Sequence, residues 1–256
     1  MRILKTPGCS YSRDKGLTLH APQSWRELTQ DQLWYVFFLL SHFHELEEVK
    51  TYMFLRFTGI RVVRQTASGA WCRLGKSKAF HLAAWQIQSL IHQFNYIDTY
   101  ENMGVRLEHI RGFHAVDVIL KDVTFIDWLN MERMYQQYLK TKDCKHIDTL
   151  ASLLYRDDAG NASSTTLDEV ERTSVFYWFG YVKTVFGRIF RHLFKPATEA
   201  GQEISFLELA NAQLRALTDG DVTKEKQVEQ TACLRALTEL NEKAREADEF
   251  NKKYGK

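Results

Sequence analysis

The sequence predicts a mainly α fold of the α+β kind: a helical domain with a small antiparallel β hairpin or sheet, followed by a C-terminal helical hairpin. Its 256 residues include only three prolines and 13 glycines, which leaves few positions that must interrupt a helix. Apolar residues recur at helical spacing through most of the chain, whereas segments with strand character are few and short. The composition, 45% hydrophobic and 26% charged, is that of a globular protein.

The chain begins with a predicted extended arm, residues 1–22, and continues in a helix-dominated α+β core domain, residues 23–156. Thr29 and Gln32 form the capping-box pattern at the start of the first helix. This helix runs through WYVFFLLS, which is apolar nearly all round and therefore predicts a helix buried within the domain. A second helix follows and stops at Gly59, because glycine readily adopts the left-handed conformation that ends helices.

Strand character follows the second helix. Residues 60–63 and 70–74 flank a Ser-Gly turn at 68–69, which is the pattern of a β hairpin. Residues 105–107 and 113–120 are shorter extended candidates. A third helix is predicted from apolar residues at helical spacing: Ala84, Ile87, Ile91 and Phe94.

Three more helices are predicted in the middle of the chain. Thr124 begins one, and residues 146–155 form a shorter one. The small and polar run RDDAGNASSTT then interrupts the chain. A second capping box, at Thr166 and Glu169, begins a long helix, so residues 157–195 are predicted to be a polar loop followed by an aromatic amphipathic helix.

The last segment, residues 196–256, is predicted to be a linker followed by a helical hairpin. The pentapeptide LRALT occurs at residues 214–218 and again at 234–238. The DGD run after the first copy can end one helix and cap the next. Two copies are too few for a repeat solenoid, so a hairpin is the expected structure.

Net charge and cysteine spacing restrict the classes of function. The formal net charge is only +2, from 34 Lys and Arg against 32 Asp and Glu, so the surface as a whole does not attract nucleic acid. The four cysteines are far apart and form no CxxC pair, which predicts reduced thiols in a cytoplasm. No signal peptide is expected, and the apolar run VFYWFGYV at 175–182 is about half the length of a membrane span.

Candidate catalytic and metal-binding residues are sparse. His42, His44 and Glu45 offer ligand atoms, but no HExxH or paired-cysteine framework accompanies them, and a polar linker between helices is the simpler interpretation. Cys144 and His146 lie two residues apart, a spacing that places helical side chains on different faces. We therefore expect no enzyme, no metal and no cofactor.

The long aromatic helix carries the candidate protein-binding surface. Its apolar residues recur at helical spacing, and basic residues gather towards its C-terminal half. The candidate partner-binding residues are Val175, Trp178, Phe179, Val182, Phe186 and Phe190. An apolar helix of a partner could dock against this stripe. Two alternatives stay open: the stripe is the core face of the helix, the more common arrangement, or it lies on a membrane surface.

The predicted hairpin carries the candidate nucleic-acid-binding residues. They combine basic and aromatic side chains: Arg61, Arg64, Trp71, Arg73, Lys76 and Lys78. Such a combination is typical of sites for single-stranded nucleic acid. Arginines on an exposed β ribbon more often protect an edge strand against aggregation, and we favour this interpretation. Nucleic acid is therefore not the expected partner.

Four segments carry a resemblance to known proteins: LTQDQLWYVFFLLS, EVKTYMFLRFTGI, LNMERMYQQYLKT with HIDTLASLLYR, and LRALTDGDVTKEK. They are similar to prophage and phage tail-region proteins of gut anaerobes, some of which are tail-assembly-chaperone-like. The resemblance spans most of residues 28–245. Its motifs are structural rather than catalytic, so it assigns no functional residue to this chain. It implies a role in virion morphogenesis in the host cytoplasm. The aromatic helix would then bind a tape-measure or tail-tube protein, and the C-terminal hairpin would bind a second partner.

Three hypotheses of function follow. The first is a non-catalytic phage or prophage morphogenesis protein, either a tail-assembly chaperone or a structural tail or neck component of the virion. The second is a regulatory protein that binds nucleic acid through residues 60–80. The third is an enzyme with an unfamiliar site, which would need titratable groups converging in a pocket. The first is our expectation, with protein partners and homo-oligomerisation left open.

Overall fold

The computed structural model describes residues 3–5, 18–161, 166–195 and 205–254. The chain divides into two compact units, one up to Val105 and one from Arg106 onwards. The core domain predicted from the sequence, residues 23–156, combines parts of both units. Periodicity locates helices and strands along a chain, but it does not show which of them pack together, and packing is what defines a unit.

Within the described residues the chain is mainly helical, with nine α-helices and small antiparallel sheets, so the predicted fold class is confirmed. The elements of the first unit are β1 (Ile3–Lys5), β2 (Thr18–His20), a 3-10 helix (Trp25–Glu27), α1 (Gln30–His42), α2 (Leu46–Thr58), β3 (Ile60–Thr66), β4 (Gly69–Leu74), β5 (Phe80–Ala83), α3 (Ala84–Ile91) and a 3-10 helix (His92–Asp98). Those of the second unit are β6 (His109–Ile110), β7 (Phe113–Ala115), α4 (Phe125–Thr141), α5 (Cys144–Leu154), β8 (Tyr155–Arg156), α6 (Glu169–Ile189), α7 (Phe206–Thr218), a 3-10 helix (Val222–Lys224), α8 (Glu225–Glu229) and α9 (Cys233–Tyr254). None of the described helices combines the length and the apolar character needed to cross a bilayer.

The first unit pairs a helical hairpin with a three-stranded antiparallel sheet. Thr29 and Gln32 exchange side-chain to backbone hydrogen bonds, so α1 begins with the predicted capping box. Gly59, at φ +72°, ends α2 as predicted. The strand order is β3-β4-β5 with β4 in the centre, so the predicted hairpin is present and gains a third strand.

Part of the predicted N-terminal arm is extended, because β1 pairs antiparallel with β2. Leu19 and Ala21 are buried, so the end of the arm belongs to the core of the first unit. Residues 1–2 and 6–17 of the arm lie outside the described residues.

A buried lysine joins α2 to the 3-10 helix that follows α3. The Lys50 ammonium donates to Asn95 Oδ1 at 2.8 Å, to Glu47 Oε1 at 3.0 Å and to Asp98 Oδ2 at 3.1 Å, and the side chain is 4% exposed. Burial disfavours the charged form, but the hydrogen bonds and charges of Asp98 and Glu47 outweigh it and raise the pKa of Lys50. The ammonium is therefore a paired charge that fixes the two helices together.

The second unit is built around aromatic contacts between α4 and α6. Trp128 of α4 lies against Phe179 and Phe186 of α6, with ring centroids 5.7 and 4.9 Å away. The indole of Trp178 donates to Val118 O at 3.0 Å, so its only polar atom is satisfied although the side chain is 1% exposed. A small sheet of order β6-β7-β8 completes the unit.

Helix α6 is shorter at both ends than the sequence predicted. Its capping box is formed by Asp168 and Glu171, two residues after the predicted pair, and Glu171 is also fixed by Arg111 Nε at 3.0 Å. The helix ends at Ile189, and Asn241 Oδ1 of α9 accepts the backbone N–H of His192 at 3.0 Å. A local capping box and a tertiary bond from Arg111 therefore meet at the start of α6, and a tertiary bond to Asn241 lies just beyond its end.

The C-terminal hairpin consists of α7 and α9, joined by a 3-10 helix and α8. Asp219, at φ +52°, is the left-handed residue that ends α7, and Asp221 caps the 3-10 helix by accepting from the Thr223 N–H. The DGD run therefore has both of its predicted roles. The predicted linker, residues 196–204, lies outside the described residues.

Candidate interaction surfaces

The aromatic stripe of α6 is a core face and not a docking surface. Its six candidate partner-binding residues are all at most 4% exposed: Val175, Trp178, Phe179, Val182, Phe186 and Phe190. The prediction that a partner binds them is therefore corrected, because α4 and the small sheet region already occupy the positions that a partner would take. Of the alternatives drawn from the sequence, the structure supports the core face.

Three basic residues in the C-terminal half of α6 and just after it have partners within the second unit. Lys183 binds Glu132 of α4, and both His192 and Lys195 bind Asp248 of α9. The hydrogen bonds and charges of Lys195 and then His192 lower the pKa of the Asp248 carboxyl. These basic residues are thus used to hold α4, α6 and α9 together.

The sparse candidates for chemistry are not brought into a common site. The described residues contain no group of three His, Cys, Asp or Glu side chains that could hold a metal ion. His42 ends α1, where its Nδ1 lies 2.8 Å from Phe38 O, and His44 and Glu45 follow in the connection to α2. Cys144 is the exposed first residue of α5.

A group of exposed and half-buried aromatic side chains lies on the α1–α2 hairpin; we call Trp34, Tyr35, Phe38, Phe43 and Tyr52 the aromatic face. Trp34 stacks on Phe38 with centroids 5.7 Å apart and rings 16° from parallel, and Tyr35 stacks on the same ring at 6.3 Å. Phe43 packs against Tyr52 at 4.8 Å. Trp34 and Tyr52 are 45% and 43% exposed, so large apolar rings face solvent.

Polar groups border the aromatic face. The Arg56 guanidinium lies 5.7 Å from the centre of the Tyr35 ring, a cation–π arrangement, and the His42 ring lies 4.3 Å from that of Phe38. Burial raises the pKa of Tyr35, Arg56 opposes this, and the nearby Tyr52 hydroxyl adds to it. The face therefore combines apolar rings with hydroxyl, imidazole and guanidinium groups, a composition typical of protein interfaces.

This face was not predicted, because the apolar run WYVFFLLS indicates a helix that is buried on all sides. Only one side of the helix is buried: Leu33, Val36, Phe37 and Leu39 are at most 2% exposed. The available signal was the presence of Trp and Tyr at positions 34, 35 and 52, since these side chains tolerate a boundary between apolar and aqueous surroundings better than Leu or Phe.

The outward side of the β3-β4-β5 sheet brings together most of the predicted nucleic-acid residues; we call Arg61, Arg64, Trp71, Arg73 and His81 the basic sheet face. Arg61 lies directly opposite Arg73, and Arg64 lies opposite Trp71, with a bulge between the two pairs. Trp71 in turn lies opposite His81 of β5, with ring centroids 5.5 Å apart. Residues opposite each other in a ladder share one face, so the five side chains form a continuous patch.

The other face of this sheet is apolar. Ile60, Ala70, Cys72 and Leu82 are at most 5% exposed. The last three of these residues, together with residues of α2 and α3, line a cleft of about 530 Å³. Burial raises the pKa of the Cys72 thiol, which therefore stays protonated. The remaining two predicted residues, Lys76 and Lys78, are exposed in the connection between β4 and β5.

Comparison of this chain with known protein families, with curated proteins and with solved structures finds no match.

Proposed function

We propose that this protein is a non-catalytic assembly factor that binds an apolar helix of a partner protein through the aromatic face of the first unit. The observation that carries the proposal is the exposure of Trp34 and Tyr52, each of which packs against another aromatic ring of the α1–α2 hairpin. Aromatic side chains at the centre of an interface bury a large area at a small cost in side-chain entropy, so they dominate the affinity of many complexes.

The geometry of the face supports a helical partner. The aromatic face lies on two consecutive helices that contact each other, α1 and α2, and an amphipathic helix can dock against such a pair through residues at i, i+3, i+4 and i+7. The bordering Arg56 and His42 can bind acceptor groups at the rim of the partner. The proposed partner-binding site thus lies on α1 and α2 instead of α6, and the expected partner is still an apolar helix.

The biological setting that we propose is phage or prophage morphogenesis. It rests on the resemblance of four segments to prophage tail-region proteins, and two of those segments, LTQDQLWYVFFLLS and EVKTYMFLRFTGI, contain Trp34, Tyr35, Phe38 and Tyr52 of the aromatic face. A tail-assembly chaperone would hold the long apolar helix of a tape-measure protein in solution until tail-tube subunits assemble. The tail or neck of the virion is the alternative location.

The experiment is a pull-down of the tagged chain from prophage-induced cells, with nuclease treatment and mass spectrometry. We expect recovery of a tape-measure protein, and its loss in the double variant Trp34→Ser with Tyr52→Ser. The matched control is Phe250→Ser with Tyr254→Ser, which removes two rings that are 63% and 61% exposed on α9. Circular dichroism melting establishes that each variant is folded.

Two results would overturn the proposal. One is undiminished recovery of the tail protein by the Trp34 and Tyr52 variant, which would place the docking surface elsewhere. The other is a dimer in light scattering that the same variant converts into a monomer, because the aromatic face would then be covered by a second copy of this chain.

A further inference from the structure

We infer that the basic sheet face binds single-stranded nucleic acid, as an activity separate from partner-protein docking. The two proposed surfaces share no residue, since the aromatic face lies on α1 and α2 and the basic sheet face lies on β3, β4 and β5. Each can therefore be removed without touching the other, and the two proposals can fail independently.

Protection of an edge strand does not account for this patch. In the order β3-β4-β5 only β3 and β5 are edges, so Arg61 and Arg64 could serve to discourage edge pairing. Trp71 and Arg73, however, lie on the central strand β4, whose backbone is paired on both sides. A charge or a large ring on a central strand blocks no edge, so these two side chains need another explanation.

Two arginines of the patch have no compensating charge within the described residues. Arg61 and Arg73 lie directly opposite each other, an arrangement that destabilises a ladder when the charges are alike. Residues 59–97 contain five Lys and Arg but no Asp or Glu, although the whole chain is almost neutral at +2. Within the described part of the chain, neither arginine has a carboxylate within salt-bridge distance. Local repulsion retained on an exposed surface points to an anionic ligand.

The aromatic member of the patch favours nucleic acid over an acidic polypeptide. Trp71 is 38% exposed and is flanked by Arg64 on one neighbouring strand and His81 on the other. An indole between basic groups allows an unpaired base to stack while the adjoining phosphates lie against guanidinium groups. Lys76 and Lys78, exposed beside β4 and β5, extend the positive surface along the same strand of nucleic acid.

The test is fluorescence anisotropy of the full chain with a labelled oligothymidylate of about 16 nucleotides, the upper site size of a small binding fold. We expect salt-dependent binding, and a preference for this strand over a duplex of the same length, because only unpaired bases can stack on Trp71. In Arg61→Gln with Arg73→Gln, the slope of log affinity against log salt should fall by about 1.4, or about 0.7 for each lost phosphate contact.

A second variant separates stacking from charge. Trp71→Leu should weaken binding about 5- to 100-fold without changing the salt slope. The matched control is Arg133→Gln with Arg235→Gln, which removes two exposed arginines from α4 and α9 and should leave affinity and slope unchanged.

Three results would overturn the inference. The first is no salt-dependent binding of the oligonucleotide by the unmodified chain. The second is equal weakening by the control variant, which would indicate attraction by net charge alone. The third is binding of polyglutamate that matches the oligonucleotide in affinity and is insensitive to Trp71→Leu, which would identify an acidic polypeptide as the ligand.

Discussion

Helices α1 and α6 have similar aromatic sequences, WYVFFLL and VFYWFGYV, but opposite surroundings. In α6 the aromatic residues Trp178, Phe179 and Phe186 are at most 1% exposed, because α4 and the segment around Val118 cover them. In α1 one side is equally buried, yet Trp34 on the other side is 45% exposed. An aromatic-rich helix is therefore expected to have an apolar side packed against something. Its sequence does not show whether that packing is supplied by the same chain or by a partner.

Charged residues repeat this contrast between the two units. Arg111, Arg156, Arg172 and Lys183 of the second unit each bind a carboxylate of the same unit. Arg61 and Arg73 of the first unit instead lie opposite each other on an exposed ladder. These four basic side chains are therefore paired within the second unit, whereas Arg61 and Arg73 of the first unit face solvent.

The largest expected effect tests the aromatic half of this comparison. Phe179→Ala removes a ring that is fully buried between Trp128 and Tyr135, with centroid distances of 5.7 and 5.1 Å. We expect the free energy of unfolding of the second unit to fall by about 3 to 5 kcal/mol, because the lost burial adds to the cost of a cavity. Chemical denaturation followed by fluorescence measures it.

Trp34→Ala is the counterpart of Phe179→Ala on the exposed side. Trp34 keeps nearly half of its surface in solvent, so its removal should lower the free energy of unfolding by less than about 1 kcal/mol. A loss as large as that of Phe179→Ala would mean that the aromatic face is part of the core, and the contrast between α1 and α6 would disappear.

The same substitution of an arginine should have opposite effects in the two units. Arg172→Gln breaks a bidentate pair with Asp148, whose bonds are 2.8 and 2.9 Å, and should cost about 1 to 2 kcal/mol since both side chains are about one-fifth exposed. Arg73→Gln removes the repulsion of Arg61 and should stabilise the protein by a few tenths of a kcal/mol. Paired thermal and urea unfolding measures the two signs; destabilisation by Arg73→Gln would indicate an internal partner.

The smallest effect depends on pH. Lys195 and His192 hold the pKa of Asp248 below its usual value, so the folded state releases this proton more readily than the unfolded state. The resulting stabilisation is present above about pH 4 and is lost as the pH falls through the lowered pKa. In urea unfolding at stepped pH, Asp248→Asn should be less stable than the unmodified chain near neutrality, and the two should converge as the pH falls below the lowered pKa of Asp248. If the free energies of unfolding of the two proteins differed by the same amount at every pH, Asp248 would not contribute to the pH dependence of stability.

Local signals in the sequence were sufficient wherever a few neighbouring residues determine the structure. Thr29 with Gln32 predicted the start of α1, Gly59 predicted the end of α2, and the turn at 68–69 predicted the β3–β4 hairpin. The capping box of α6 was predicted two residues too early. Glu171 completes the observed box and also accepts a hydrogen bond from Arg111, which is distant in the sequence. The aromatic face was not predicted, since exposure is not a property of one helix.

The sequence by itself determined the mainly helical class, the order of the main elements and the basic character of residues 59–97, because propensity, capping and composition act over a few residues. Only the tertiary structure decided the division at Val105, the burial of α6 and the exposure of α1. It also decided that Arg61, Arg73 and Trp71 share one face with no carboxylate opposite. These features depend on contacts between residues distant in the chain, and an amphipathic pattern is the same whether its apolar side meets another helix of the same chain or a partner.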